Sequence, residues 1–366
     1  MRRLLSLLLV VCTLLPVVAG STSAQGTYAV VNLGSFAATG DATAACADSY
    51  AGRALAINAD GVVTGRTGWG ERTGTAFRAT DGEIKRLKGG KGGAGGRDIN
   101  AGGQVAGYVV DDSGDDPCSM TVLSGQSGAH HAATWVGGGL QLLPDGGAYS
   151  EAVAINDDGV IAGFVSVKTK TQDGNTILYS SDPRPVVWRD GDLEELALPA
   201  QAVSGYAFHI NAAGQILGVV YDADGTQASS VLWDDGKAIL LPEGFVAGAI
   251  NDDGVVVGST DEGTGAARLV DGKLKPLPGI PDDATSVNVA GVNADGDVLG
   301  RVATESEGMT VIWHGDEMID VESLLPADAG FASVSPSDLN DAGMLLLNVT
   351  TEDGEPHGVV LIPEGT

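Results

Sequence analysis

The chain of 366 residues carries 48 Asp or Glu against 20 Lys or Arg, a formal charge of −28 and a pI near 4.2. A nucleic acid partner is therefore not expected, because its phosphates would be repelled. Gly accounts for 55 residues and Pro for 14, which suits a turn-dense fold and stays short of a low-complexity chain. With 43% apolar residues a large core is possible, yet the length exceeds what one compact core usually serves, so several domains or a repeat architecture is expected.

The first segment reads as an export signal over residues 1–24. Arg2 and Arg3 precede an apolar run from Leu4 to Val18, followed by the small-residue stretch AGSTSA, with cleavage after Ala24 and Ala19 as the second choice. The run is too short for a membrane span, and no other stretch approaches one. Cys12 does not suit a lipoprotein anchor, since Val11 precedes it where a small residue is needed. Removing two Arg and no acid leaves the mature chain at 18 minus 48, or −30. Such a charge favours a soluble monomer and directs attention to positive partners and calcium.

Self-similarity organises everything downstream. ALAINADGVVTG, GRDINAGGQVAG, AVAINDDGVIAG, AFHINAAGQILG, AGAINDDGVVVG, VAGVNADGDVLG and PSDLNDAGMLLL are seven copies of one box. Asn58, Asn100, Asn156, Asn211, Asn251, Asn293 and Asn340 hold its polar position, 40 to 56 residues apart. Three residues on, Gly61, Gly103, Gly159, Gly214, Gly254, Gly296 and Gly343 hold its turn position. Asn suits the first place of a type I turn, and Gly accepts the left-handed conformation that returns the chain into the next strand. A second element follows each box: an apolar pair, a large residue, a short Gly or Asp turn and a closing apolar residue. Trp135, Trp188, Trp233 and Trp313 occupy the large position in four copies and are expected in the blade core; Ala79, Leu269 and Leu361 replace them elsewhere.

Each repeat thus predicts four short strands, with no helical periodicity beyond a few residues. Seven such units predict an all-β, seven-bladed β-propeller forming a single domain over residues 25–366. The last copy lacks its fourth strand, while YAVVNLG near the mature start looks like a fourth strand lacking the first three. The N-terminal strand, Tyr28 to Leu33, is therefore expected to complete the blade of Val359 to Leu361 and close the ring.

HAATW at His131 to Trp135, TAFRA at Thr75 to Ala79 and HGVVL at His357 to Leu361 each follow an IN-x-x-G-x-x-x-G or related box. Together with the YAVVNLG opening they resemble the extracellular HAF repeat family over nearly the whole mature chain. Two copies keep the His and none reads HAF. The resemblance implies export and repeats, and no defined activity.

Candidate chemistry is sparse. His130 and His131 are adjacent and point to opposite faces of a strand. His209, His314 and His357 lie in separate repeats, without Cys or carboxylate at zinc-ligand spacing. No G-x-S-x-G elbow appears, and neither a catalytic residue nor a cofactor is assigned. NADGD at Asn293, DADG at Asp222 and DDSGDD at Asp111 crowd oxygen atoms beside Gly, but the alternation and later bidentate acid of a calcium loop are missing. Calcium, if bound, belongs to the irregular acidic insert. Aromatic residues, at 5%, offer no platform. KGGKGG around Lys88 and Lys91 reads as a solvated Gly connection, and Trp69 as a loop anchor.

Loop lengths carry more information. From box Asn to the large position the separations are 21, 35, 32, 22, 18, 20 and 21 residues, so blades 2 and 3 hold insertions between their second and third strands. A further long connection enters blade 1. In an up-and-down blade all three emerge on one face, where binding residues concentrate. Cys46 and Cys118, the only Cys after the signal, fall in two of these segments, and a disulfide between them is expected in an exported chain. The function expected is a non-enzymatic binding module for an extracellular protein or polysaccharide; the alternative is a secreted hydrolase or lyase with its site on the loop face of blades 1–3.

Overall fold

A computed structural model describes residues 27–36, 52–68, 74–90, 92–110, 130–145, 149–173, 176–223, 225 and 228–364. The expected export signal lies outside the described residues. Among the described residues, runs of β-branched and apolar residues between Gly-rich turns form 28 strands. After β1 (Thr27–Ser35), blade 1 holds β2 (Arg53–Ile57), β3 (Val63–Thr67), β4 (Thr75–Thr80) and β5 (Glu83–Arg86). Blade 2 holds β6 (Ala94–Ile99), β7 (Val105–Val110), β8 (His130–Val136) and β9 (Gly139–Leu142). Blade 3 holds β10 (Tyr149–Ile155), β11 (Ile161–Asp173), β12 (Thr176–Arg189) and β13 (Asp192–Glu195). Blade 4 holds β14 (Ala202–Ile210), β15 (Ile216–Asp222), β16 (Ala228–Asp234) and β17 (Lys237–Leu240). Blade 5 holds β18 (Val246–Ile250), β19 (Val256–Thr260), β20 (Gly265–Val270) and β21 (Lys273–Pro276). Blade 6 holds β22 (Ser286–Val292), β23 (Val298–Ala303), β24 (Gly308–His314) and β25 (Glu317–Asp320). The last sheet joins β26 (Phe331–Leu339), β27 (Leu345–Thr351) and β28 (Pro356–Glu364) to β1. Seven antiparallel four-stranded blades in a ring make the protein a seven-bladed β-propeller.

The pairing of β1 with β28 is antiparallel and sets Val30 opposite Leu361 and Val31 opposite Val360. Just beyond it, Phe36 is fully buried, donates its N–H to the Pro356 carbonyl and stacks on Phe77 of blade 1 at 5.1 Å. The insertion in blade 3, expected as loop, is instead a continuation of the sheet: β11 and β12 stay paired out to Asp173↔Thr176. Val165, Val167, Thr169 and Thr171 supply a β-branched alternation that favours this extension.

Within each blade the first strand carries a β-bulge just before the box. Its register shifts fall between Ala54/Ala56, Gly96/Asp98, Ala152/Ala154, Ala207/His209, Ala247/Ala249, Val289/Gly291 and Pro336/Asp338. The bend brings a first-strand carbonyl against the last Gly of the box. A Cβ on Gly163 would lie 2.1 Å from the Glu151 oxygen and 3.0 Å from the Trp188 ring. That Gly is a matter of space, whereas the turn glycines are a matter of conformation, with φ between 71° and 81°.

Each box Asn does more than start a turn. Its backbone carbonyl accepts from the turn Gly, and its Oδ1 accepts from the N–H four residues on, as in Asn156 with Gly159 and Val160. Its Nδ2 then crosses to the next blade and donates to the carbonyl of the next box Asn. Asn58 reaches Asn100 at 2.9 Å, Asn100 reaches Asn156 at 3.1 Å, and Asn156 reaches Asn211 at 3.2 Å. Asn211 reaches Asn251 at 3.0 Å, Asn251 reaches Asn293 at 2.9 Å, and Asn340 reaches Asn58 at 2.8 Å. At the joint between blades 6 and 7 the link is instead Ala294 N–H to Asp341 Oδ1, at 2.7 Å.

Trp135, Trp188, Trp233 and Trp313 are at most 1% exposed. Each indole N–H donates backwards to a carbonyl just after the fourth strand of the preceding blade: Lys88, Pro144, Ala197 and Pro278, at 2.7–2.8 Å. KGGKGG, expected as a solvated connection, keeps Lys88 and Gly89 exposed but is held by hydrogen bonds at its two ends. Besides the Lys88 carbonyl, Gly92 N–H donates to the Val110 carbonyl.

Trp188→Ala is expected to cost about 3–5 kcal/mol in chemical unfolding. Asn156→Asp keeps the acceptor for Val160 and loses the donor to blade 4, so it should cost about 1–3 kcal/mol. A loss no larger than that of an exposed loop substitution would show that the amide link is idle. For the ring as a whole, a chain lacking residues 27–35 is expected to unfold at lower denaturant and over a broader transition; an unchanged transition would mean that β1 does not close the ring.

Candidate functional site

Two ends of the axial channel differ in chemistry. At the box end lies a cavity of about 200 Å³ whose walls come from six blades. Asp157, Asp252 and Asp341 stand at its rim and Asp98 within it. The bulge that precedes the box places Asp98, His209 and Asp338 at equivalent positions of blades 2, 4 and 7. Both carboxylates act as clamps between neighbouring blades. Asp98 accepts from Ile99 N–H at 2.7 Å and from Ile155 N–H at 2.8 Å, and Asp338 accepts from Leu339 N–H at 2.8 Å and from Ile57 N–H at 2.9 Å. Each keeps a partial opening to the channel yet is surrounded by protein. Burial pushes Asp98 up to about 6 against the lowering pull of its two N–H donors, and pushes Asp338 up to about 7, with the Asp98 charge adding to the rise. Burial lowers His209 to about 4, so this level of the channel favours neutral forms of all three groups.

At the other end, the ends of the first and second strands form a ring of cross-strand pairs. In blades 2, 3 and 4 these are Gly95↔Tyr108, Glu151↔Phe164 and Tyr206↔Val219. They assemble a continuous row of rings across three blades. Tyr108 stacks on His130 at 4.5 Å, His130 on Tyr149 at 4.8 Å, and Tyr149 meets Phe164 at 5.9 Å. Phe164 then meets Tyr206 edge-on at 4.8 Å, and Tyr206 meets Tyr221 edge-on at 6.1 Å. Tyr108 and His130 are buried, whereas Tyr149, Phe164, Tyr206 and Tyr221 are half-buried. Tyr206 is raised by burial and by its neighbour Tyr221. Arg97, the bulge residue of blade 2, lies over the Tyr108 ring at 5.3 Å and bonds Glu151 of blade 3 through Nε.

This row corrects the expectation that aromatic residues offer no platform. Few in number, they are gathered by blade register, which composition does not express. The signal was present in the repeat alignment, where Tyr108 and Phe164 hold the same place. It was also present in Tyr206, which holds the place opposite.

Other expected residues resolve to structural roles. His131 Nδ1 bonds Asp145 Oδ2 at 2.7 Å, and the fully buried Ser150 hydroxyl donates to the same oxygen at 3.0 Å while accepting from Ala132 N–H. His357 bonds Asn32 at 3.1 Å, and His314 bonds Asp297 Oδ1 at 2.8 Å. In NADGD, Asn293 and Asp297 bond each other, leaving the box as turn and joint rather than ligand. Among the described residues no group of three or more His, Cys, Asp or Glu is placed to hold a metal ion. Cys46, Cys118, Lys91, Trp69 and the acidic insert at Asp111 lie outside the described residues. Among the described residues no helix is long and apolar enough to cross a membrane.

No family model matches the chain, and no curated protein does. Among solved structures it is similar to a puromycin-hydrolyzing peptidase from Mycobacterium tuberculosis, at 11% identity and TM-score 0.52, covering 86% of this chain and 52% of that one. It is also similar to a catalytically inactive virginiamycin B lyase from Staphylococcus aureus, at 12% identity and TM-score 0.48, covering 86% and 97%. A third is YCF48 bound to D1 peptide, at 10% identity and TM-score 0.48, covering 95% and 98%. Identities this low speak for the propeller scaffold alone.

The clamping carboxylates give a pH signature. Both have folded values above the ordinary 3.8, so between about pH 4 and 7 the native state binds more protons than the unfolded chain, and stability falls as pH rises through that window. His209, with its lowered value, works the other way between about pH 6.5 and 4. The thermal midpoint should therefore be higher at pH 6 than at pH 8, with Asp338→Asn flattening that difference even though it strands one N–H. A pH dependence unchanged in Asp338→Asn would show that Asp338 does not titrate there.

Proposed function

We propose that the protein is an exported, non-enzymatic binding module of HAF repeat type, with its ligand seat on the insertion face over blades 2–4. The observation that carries this reading is the aromatic row, which presents half-buried rings from two consecutive blades, 3 and 4, beside the long β11–β12 hairpin and backs them with the buried Tyr108 and His130 of blade 2. Rings held at fixed spacing on a closed ring of sheets lose little freedom on binding, which favours recognition by a preorganised surface. The one Ser, His and Asp grouping described above is unsuited to catalysis, since its hydroxyl is buried and donates to the carboxylate rather than to the imidazole.

The test is a panel of peptides, neutral and charged oligosaccharides and hydrolase activity probes applied to the mature protein. Ligand binding is expected to weaken in Phe164→Ala and Tyr206→Ala and to persist in Asp60→Asn on the opposite face. Covalent labelling by an activity probe, or binding that ignores both ring variants, would overturn the reading.

A further inference from the structure

The charge pattern around the aromatic row narrows the ligand further, an inference that rests on the binding reading above. Over the whole chain the charge is −28, which repels a polyanionic glycan or nucleic acid. A cationic ligand meets a different obstacle. The place a guanidinium or ammonium would take at the inner end of the row, over a Tyr face and against a carboxylate, is already filled by Arg97, which lies over Tyr108 and is bonded to Glu151. The pair is locally neutral, partly open at Arg97, which is 30% exposed, and nearly closed at Glu151, which is 7% exposed.

Further along the row the four half-buried rings present hydrocarbon faces with Tyr hydroxyls at their edges, and they are arranged tilted or edge-on rather than stacked shut. Partly open rings, three of the four bearing a hydroxyl, match a molecule that is itself apolar on its flat faces and hydroxylated at its edges. A neutral sugar ring has that form: its axial C–H groups pack on an aromatic face while its equatorial hydroxyls accept and donate at the rim. We infer that the insertion-face row of blades 2–4 binds a neutral oligosaccharide, with Tyr206 and Phe164 as stacking rings.

Isothermal titration of the mature protein with neutral glucose and xylose hexaoses tests this, with an alginate oligomer of equal length and a lysine-rich hexapeptide as comparators. At least one hexaose is expected to bind with little dependence on salt. Its affinity should drop about tenfold in each of Tyr206→Ala and Phe164→Ala, while Tyr206→Phe, which keeps the ring, stays within a few-fold of the parent. Thermal midpoints of the variants separate lost stacking from lost folding. Ring-dependent binding of the hexapeptide or the alginate without any hexaose binding would overturn the sugar assignment and leave the binding face standing. Shortening of a hexaose during the titration would overturn the non-enzymatic reading and leave the sugar assignment standing. Absence of ring-dependent binding for every probe would overturn both.

Discussion

The hydrogen bond from the side-chain amide of one box Asn to the main-chain carbonyl of the next is the constraint on which the ring depends. A blade presents an outer edge to solvent and an inner edge to the axis, and at the axis the strands of neighbouring blades converge without pairing. Their last carbonyls would be left unsatisfied in a crowded, half-dry place, where an unpaired polar group is costly. Asn resolves this because it carries an acceptor and donors on one short side chain: Oδ1 turns inward to complete its own turn and Nδ2 turns outward to the neighbour. Asp or Ser could begin the turn equally well, and Asp could not make the crossing. Six of the seven Asn meet that second requirement; the Nδ2 of Asn293 turns to Asp297 of its own blade instead.

The same geometry explains the rest of the box. Bringing each Asn within reach of its neighbour requires the first strand to bend, and the bend is a bulge whose extra residue lies three before Asn in every blade. The bulge pushes a carbonyl into the volume where a second-strand Cβ would stand, hence the last Gly of the box in blades 1–6. The Trp ring then covers that Gly, as at Gly163, Gly218 and Gly300, where a Cβ would lie 2.5–3.0 Å from the indole. Blade 7 departs from the pattern. It has Leu347 in place of this Gly, Leu361 in place of Trp, and a Val321–Leu324 turn whose buried Val321 and Leu324 join its core. The departure coincides with the one joint that lacks the amide link.

Strand number, turn positions and blade count were legible in the sequence because they follow from local chemistry repeated seven times: a positive-φ Gly, a period-two apolar run, a large residue at fixed spacing. What was not legible is whatever depends on one blade touching another. The donor role of the Asn amide and the backward reach of the Trp N–H are contacts across blade boundaries, and neither alters the composition of a single repeat. The Gly-rich connection at Lys88 shows the same limit. Read alone it looks loose, and only its neighbour's indole and Val110 reveal it as held at its two ends. The β11–β12 extension was legible in part, through its β-branched alternation, and was obscured by the Lys and Ser residues interspersed with it.

Positions fixed by the ring cannot also carry recognition, and this decides where variation accumulates. The box, the bulge-facing Gly and the large residue are committed to joining blades. Asp98 and Asp338, though acidic and close to the axis, are committed too, since each spends both oxygens on N–H groups of two blades. The cross-strand pairs at the far end of the channel share that duty unevenly: Asn348 exchanges two hydrogen bonds with Ala54 of blade 1, Arg301 donates to the Val334 carbonyl of blade 7, and Glu151 bonds Arg97 of blade 2. Around the ring they read Arg53 with Arg66, Gly95 with Tyr108, Glu151 with Phe164, Tyr206 with Val219, Val246 with Ser259, Asn288 with Arg301 and Ser335 with Asn348. No two pairs are alike. The seven-fold repeat is broken at this level, and its aromatic members fall on blades 2–4, of which blades 2 and 3 have their second and third strands joined by the long insertions. An asymmetric aromatic row on a nearly symmetric ring is what results when the box fixes one end of the channel alike in every blade and a different pair fills the other end in each.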